Sequence, residues 1–289
     1  MRKTTFRDYL SARHQESTIR AHEQNLRYFK QWIRAAELPG ARRVRYADML
    51  SYVQYEQRRG ITVATINLRL CSIRKYYAYL LAAGQVSADP ARGLYIKGNL
   101  RRVIEQPLTV AVLNDLYLLY SQRPKGFRSG LSHPRNIVMA GLLIYQGLHS
   151  GELRRLEVGH VRLAEGRIYI PGSVRNNSRE LPLDPRQMLA LDRYLSQIRP
   201  GLRPKGQELL PGNIRNHLGA LILELQGLQP GVRNALHIRA SVILQWLKVH
   251  NKRQVQYMMG YRHIGSAERY AVQEMDSLTD QLSKHHPFG

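Results

Sequence analysis

Residues 236–270 read LHIRASVILQWLKVHNKRQVQYMMGYRHIGSAERY. The run from Leu236 to Leu244 is apolar with helical spacing, and one arginine, Arg239, is set into it. The stretch continues through Val255 to Gly260 and Tyr261-Arg262-His263, and closes on Tyr270, 31 residues past Arg239. A guanidinium that grips phosphate oxygens and a tyrosine hydroxyl that attacks phosphorus would together open a phosphodiester. The plainer reading makes Arg239 half of a structural ion pair, as a charge among apolar neighbours requires. It makes Tyr270 a packed phenol, one of 17 tyrosines.

Composition favours the first reading. Of 289 residues, 44 are Lys or Arg and 21 Asp or Glu, a formal charge of +23 that points to a polyanion, nucleic acid foremost. The excess is spread evenly: residues 1–100 carry 18 basic and 7 acidic side chains, leaving 26 and 14 for the remainder. A basic membrane-surface protein would show an amphipathic anchor, and none is evident. The apolar run from Ile137 to Leu148 is too short to span a bilayer, and the start of the chain lacks a secretory apolar segment. A single cysteine, Cys71, fits a reducing compartment, so a cytoplasmic location is expected. His160 and His285-His286 have no ligand-spaced partners, so no metal site is expected.

Three amphipathic helices are expected in the first hundred residues, at about 17–36, 46–59 and 63–83, each followed by glycine (Gly40, Gly60, Gly84). On the third, Arg69, Arg74 and Lys75 interleave with Tyr76 and Tyr77, either as phosphate contacts or as a solvated polar face. Asp89-Pro90 breaks the pattern, and residues 97–107, with Arg101 and Arg102, read as a basic linker. This divides the chain into a helical domain over 1–96 and a second over 108–289.

In the second domain Thr109 should cap a helix reaching about Ser121, and Pro134 should open an apolar helix ending near Gly147. Ser150 is expected to cap a short helix, Gly151 to Leu156. Residues 167–170 and 179–183 alternate with a period of two around a turn, the only clear sheet signal. Asp184-Pro185 opens a helix to about Ile198, residues 200–211 read as a loop, and helices resume at about 213–225, 236–249, 253–259, 266–272 and 275–284. The fold class is mainly α with a small β-hairpin.

A helical basic domain, a linker, and a mostly helical domain with one hairpin that closes on Arg239 and Tyr270 resembles the tyrosine recombinase (phage integrase) family, over nearly the whole chain. That family's first motif reads Gly-Leu-Arg-x-x-Glu-Leu, and Gly147-Leu148-His149-Ser150-Gly151-Glu152-Leu153 fits it at every fixed position except the arginine, where His149 stands. The family's hairpin turn carries a lysine that protonates the leaving 5′ oxygen; aligning the turn on Gly172 puts Ser173 there, with Arg175 and Arg179 the nearest cations. The His-x-x-Arg motif places Arg239, with Leu236 at the histidine position and His237 one residue later, a turn of about 100° on a helix. The glycine that precedes a histidine or tryptophan is Gly260, followed by Tyr261, nine residues before Tyr270.

The resemblance implies an N-terminal helical bundle plus an integrase-like catalytic domain, the two clamping double-stranded DNA. Tyr270 would form a 3′-phosphotyrosyl link and Arg239 would stabilise the phosphate charge. His149, His237, Tyr261 and Arg175 are the remaining candidate catalytic residues, and Arg69, Arg74, Lys75, Arg101, Arg102 and Arg179 the candidate DNA contacts. No cofactor would be needed, because the covalent link conserves the bond energy. A homo-oligomer, such as a tetramer on DNA, or an assembly with a related recombinase is implied, with the final helix docking on a neighbour. The alternatives are a DNA-binding member without chemistry that serves an active partner, and a basic helical nucleic-acid-binding protein of other ancestry. The last predicts that Arg239 and Tyr270 lie far apart.

Overall fold

The computed structural model describes residues 5–98, 106–123 and 130–270. They fall into two compact units that divide at Arg101/Arg102. The basic linker residues Arg101 and Arg102 and the helix expected at 275–284 lie outside the described residues.

The first unit holds four helices: α1 (Phe6–Ser11), α2 (Glu16–Ala35), α3 (Tyr46–Arg58) and α4 (Val63–Ala82). Short α1, which has no long periodic pattern, starts on a reciprocal cap in which the Thr5 hydroxyl accepts from the Asp8 N–H and the Asp8 carboxylate accepts from the Thr5 N–H. Ile19, Leu26, Phe29 and Ile33 fall on one face of α2 and are buried, as their spacing predicts. Leu26, Phe29 and Ile33 pack with Tyr52 of α3 and with Ile66, Leu70, Ile73 and Tyr77 of α4. Inside this core the fully buried Glu56 of α3 accepts from Arg69 of α4 at 2.5 Å, and the Tyr28 ring lies 4.3 Å from the same guanidinium.

The second unit is built around α6 (Ser132–Ile144), whose residues 138–144 are all buried. Against it lie α5 (Val110–Gln122), α8 (Pro185–Arg193), α9 (Ile214–Leu228) and α10 (Ala235–Val249). After α6, Gly147 turns the chain at φ +59° into the single-turn α7 (Ser150–Leu153). A three-stranded antiparallel sheet follows, in the order β1 (Val161–Arg162), β2 (Arg167–Ile170), β3 (Arg179–Pro182). Ile168 stands opposite both Val161 and Leu181, which fixes the apolar face inward. α11 (Lys252–Met259) ends on Gly260, and residues 265–270 are helical.

Several local expectations are corrected. α6 starts at Ser132, so Pro134 is its third residue; the first turn has no intrahelical donors to lose, so proline is tolerated there. α7 is capped by His149 rather than Ser150, and is shorter than expected. The two-residue strand β1 joins the hairpin, and residues 199–202 form a 3₁₀ turn inside the expected loop. No helix of the described residues is long and apolar enough to cross a membrane, and among those residues no cluster of three or more His, Cys, Asp or Glu could hold a metal ion.

Candidate active site

Four segments far apart in sequence converge on Glu152. It sits in α7 with its side chain fully buried. One carboxylate oxygen accepts from the Arg179 guanidinium of β3 at 2.8 Å, and the other accepts from Arg239 of α10 at 3.0 Å. Arg239 also donates to the Gly147 carbonyl, and the Arg179 Nε–H donates to the Met258 carbonyl at 2.6 Å. Burial alone would raise the Glu152 pKa, but the charges of Arg179 and Arg239 overcome it and hold the carboxyl at about 2. Arg179 is held down from its ordinary value by its own burial.

The hairpin turn docks on the end of α11. The Asn177 N–H donates to the Gly260 carbonyl at 2.8 Å, and Asn176 bridges to Tyr261. Gly260 has φ +67°, and a Cβ there would meet Arg179 Nη1 at 2.6 Å and the Asn177 carbonyl oxygen at 2.8 Å, so only glycine admits this contact. The same turn sends Tyr261 to the face of Arg239, ring centre 5.9 Å from the guanidinium carbon.

Tyr270 is brought to the same place. Its ring packs on Ala240 and Leu244 of α10, one and five residues past Arg239, and belongs with Tyr261 to the cluster around Ile243 and Met259. Burial first, then the neighbouring Tyr261, raises its pKa, against which Arg239 acts in the lowering direction. The phenol is therefore protonated at neutral pH and has a cation at hand for any negative charge on its oxygen.

His149 lies at the mouth of this cluster. Its Nδ1 accepts from the Gly151 N–H at 2.9 Å and from the Glu152 N–H at 3.4 Å, which makes Nε2 the protonated nitrogen of the neutral ring; Nε2 lies 3.2 Å from Asn176 Nδ2, a second donor, so its own N–H has no acceptor in that contact. Burial, opposed by Glu152 and reinforced by Arg239, Arg155 and Arg179, lowers its pKa, so the imidazole is neutral at pH 7. It offers one N–H where an arginine would offer a charged fork.

The other sequence candidates separate. His237 is buried with Nε2 3.1 Å from the Gln106 carbonyl, on a different side of α10 from Arg239, so the expectation that it joins the site is corrected. Leu236, which shares the Arg239 face, is 71% exposed. Arg175 is exposed on the turn, where the Ser173 hydroxyl accepts from the Arg175 and Asn176 N–H groups. In the first unit Arg69 is committed to Glu56, Arg74 donates to the Leu94 carbonyl at 2.7 Å, and Lys75 lies 3.1 Å from His14 Nε2. Arg69 and Arg179 were expected as DNA contacts; both are buried in ion pairs that neutralise them, and neither presents a free cation.

Comparison with known proteins bears on this geometry. The pattern of the phage integrase N-terminal SAM-like domain matches residues 4–84. The tyrosine recombinase XerD of Listeria monocytogenes serotype 4b (strain F2365) is 25% identical over 285 residues, 94% of this chain and 93% of that protein. XerC of Actinobacillus pleuropneumoniae serotype 7 (strain AP76) is 22% identical over 290 residues, 97% and 92% of the two chains. The crystal structure of the XerH site-specific recombinase bound to difH substrate superposes with a TM-score of 0.69 at 17% identity, over 90% of this chain and 79% of that one. Over nearly its whole length the chain is similar to tyrosine recombinases.

The structure brings Tyr270, Arg239, Tyr261 and His149 together and leaves His237 outside. Sequence reasoning missed the central role of Glu152, although the motif that contains it was in view. A buried acid in an apolar motif requires a cation, and that signal was available. Asn176, which touches both His149 and Glu152, carries no signal beyond its place in a turn.

Proposed function

We propose that this chain is a site-specific DNA recombinase that cuts and rejoins duplex DNA through a 3′-phosphotyrosyl intermediate on Tyr270. The observation that carries the reading is the packing of Tyr270 on α10 beside Ile243, one turn past Arg239, in one cluster with Tyr261, whose ring lies over the Arg239 guanidinium. The third ancestry-free reading requires those two side chains to lie apart, and they do not.

The residues suggest the following division of labour. The Tyr270 oxygen attacks the scissile phosphorus and releases its proton; the bond from phosphorus to the 5′ oxygen breaks, and that oxygen takes up a proton. Arg239 faces the negative charge that accumulates on the non-bridging oxygens, its orientation set by Glu152 and the Gly147 carbonyl. The His149 Nε2–H adds a neutral donor from the opposite wall. Tyr261 packs between the guanidinium and the nucleophile and fixes their spacing. Rejoining is the same path in reverse with a different 5′-hydroxyl. Exchange of both strands of two duplexes needs four such cuts, and each chain supplies one Tyr270, so a four-copy assembly on DNA, of this chain alone or with a related recombinase, is part of the proposal. Action on DNA in the cytoplasm and carriage by a mobile element complete it.

One observation favours a second reading, a DNA-binding partner without chemistry of its own. The family's lysine position is Ser173 and its histidine position is exposed Leu236, neither of which can move a proton to the leaving oxygen. Losing one preorganised donor costs about 10²–10³ in rate, and losses within one unit are not additive. A duplex selected by the chain from a random-sequence pool and nicked beside the cleavage position decides between them. A denaturant-resistant protein–DNA adduct, absent in Tyr270→Phe, is the expected result. Tight binding with no adduct would refute the first reading and leave the second.

A further inference from the structure

α10 carries Arg239 on one side and a stripe of polar side chains on the other. His237, Ser241 and Gln245 recur every four residues and so share a face, and Arg239 stands about 160° round the helix from Ser241, the middle of that stripe. Residues 237–244 are all buried, a setting that apolar side chains would fill with no polar group left to satisfy. The stripe is instead covered by Gln106-Pro107-Leu108, the segment that leads into α5.

This strap is held by directional bonds. The His237 Nε2–H donates to the Gln106 carbonyl at 3.1 Å, the Leu108 N–H donates to the Ser241 hydroxyl at 2.9 Å, and the Gln245 amide donates to the Leu108 carbonyl at 3.0 Å. Ser241 in turn donates to the His237 carbonyl at 2.9 Å, which joins the first two contacts, and Pro107 between them has no N–H to satisfy. Gln106 takes φ +53°, a left-handed conformation that is costly for a residue other than glycine, and it does so while presenting its carbonyl to His237. The Leu108 side chain is buried in the core of the second unit, which anchors the other end.

Apolar contacts alone let a helix slide or rotate by small amounts, whereas a satisfied polar network fixes one register. What α10 must keep in register is on its opposite side. Arg239 meets Glu152 and the Gly147 carbonyl there with Tyr261 over its guanidinium, and Tyr270 packs on the adjoining Ala240 and Leu244. We propose that His237, Ser241 and Gln245 are positioning residues, which clamp α10 to the strap 106–108 and thereby set Arg239 against Tyr270. This role rests on the recombinase reading above and deepens it: His237 stands outside the site and acts through Arg239.

The test uses the full chain and the selected nicked duplex. It measures the rate of adduct formation at saturating protein and, in a Tyr270→Phe background, the affinity for the duplex. His237→Ala is expected to form the adduct about 10²-fold more slowly, the scale for a misplacement of about 1 Å at a reacting centre, with affinity unchanged within about two-fold. His237→Gln, whose amide can donate to the Gln106 carbonyl, should recover most of the rate. Gln245→Glu, at the part-buried end of the stripe, removes a donor at constant shape and should slow the adduct about ten-fold, so it decides the matter if His237→Ala fails to fold. Because His237 acts through Arg239, combining His237→Ala with Arg239→Lys should cost far less than the product of the two separate losses. Undiminished rates in His237→Ala and Gln245→Glu would overturn the proposal, as would losses that multiply with Arg239→Lys or that fall equally on DNA affinity. A wild-type chain that forms no adduct refutes the recombinase reading itself, and the positioning role with it. A failure of the strap alone leaves wild-type cleavage and its dependence on Tyr270 intact, so the two failures are distinguishable.

Discussion

Replacing Glu152 with glutamine keeps the shape of the side chain and removes the charge that holds Arg179 and Arg239 together. Both guanidinium groups are then left nearly without solvent, at 0% and 7% side-chain exposure, with no counter-charge. The carboxyl is held at about 2 against an ordinary value of 4.5. At about 1.36 kcal/mol per pH unit this corresponds to roughly 3 kcal/mol of stability at pH 7, in line with the 3–5 kcal/mol typical of breaking a buried pair from one side. Because the folded value is depressed, the contribution is complete above about pH 5 and is lost as pH falls toward 2. The variant should therefore differ most from wild type at neutral pH, and the two should converge in acid. Urea unfolding of both proteins at pH 7 and pH 3 measures this, following the transition of the second unit separately because the chain has two. For a unit of this size the loss is roughly 6–12 °C in melting temperature. Glu152→Gln as stable as wild type at pH 7, or a gap that does not narrow at pH 3, would refute the view that this carboxylate holds the site together by charge.

Two further outcomes follow from the same geometry. Gly260→Ala places a methyl against the Asn177 carbonyl at a left-handed position and should cost about 2–4 kcal/mol, read as a lower urea midpoint; a neutral effect would mean that the hairpin turn is not docked on α11 as described. His149→Ala removes the acceptor for two N–H groups at the start of α7 and should cost about 1 kcal/mol, whereas His149→Asn, a good cap, should restore most of it; equal stabilities of the two variants would remove the capping role.

Much of this protein is written locally. The helices at 16–35, 46–58 and 63–82 follow from apolar residues that repeat on one face, the last two also from Gly60 and Gly84 that stop them, and each lies within a residue or so of the position their spacing predicts; the first ends on Glu37 at φ +53°, before Gly40 is reached. The Asp184-Pro185 and Thr109 caps are local too, since a side chain bonds an N–H two or three residues ahead. The His149 cap escaped because an imidazole is an uncommon acceptor at that position, and β1 because two residues are too few to show a period.

By itself the sequence determined the strong positive charge, the helical class, and the spacing of Arg239 and Tyr270, because charge, periodicity and motif spacing are properties of order along the chain. Only the tertiary structure decided which cations remain free. Arg69 and Arg179 read as candidate contacts, yet acids 13 and 27 residues away neutralise them. Arg239 meets the same Glu152 from 87 residues away. Whether a charge is spent inside a protein or kept for a ligand depends on neighbours that folding brings together, and no local pattern encodes it.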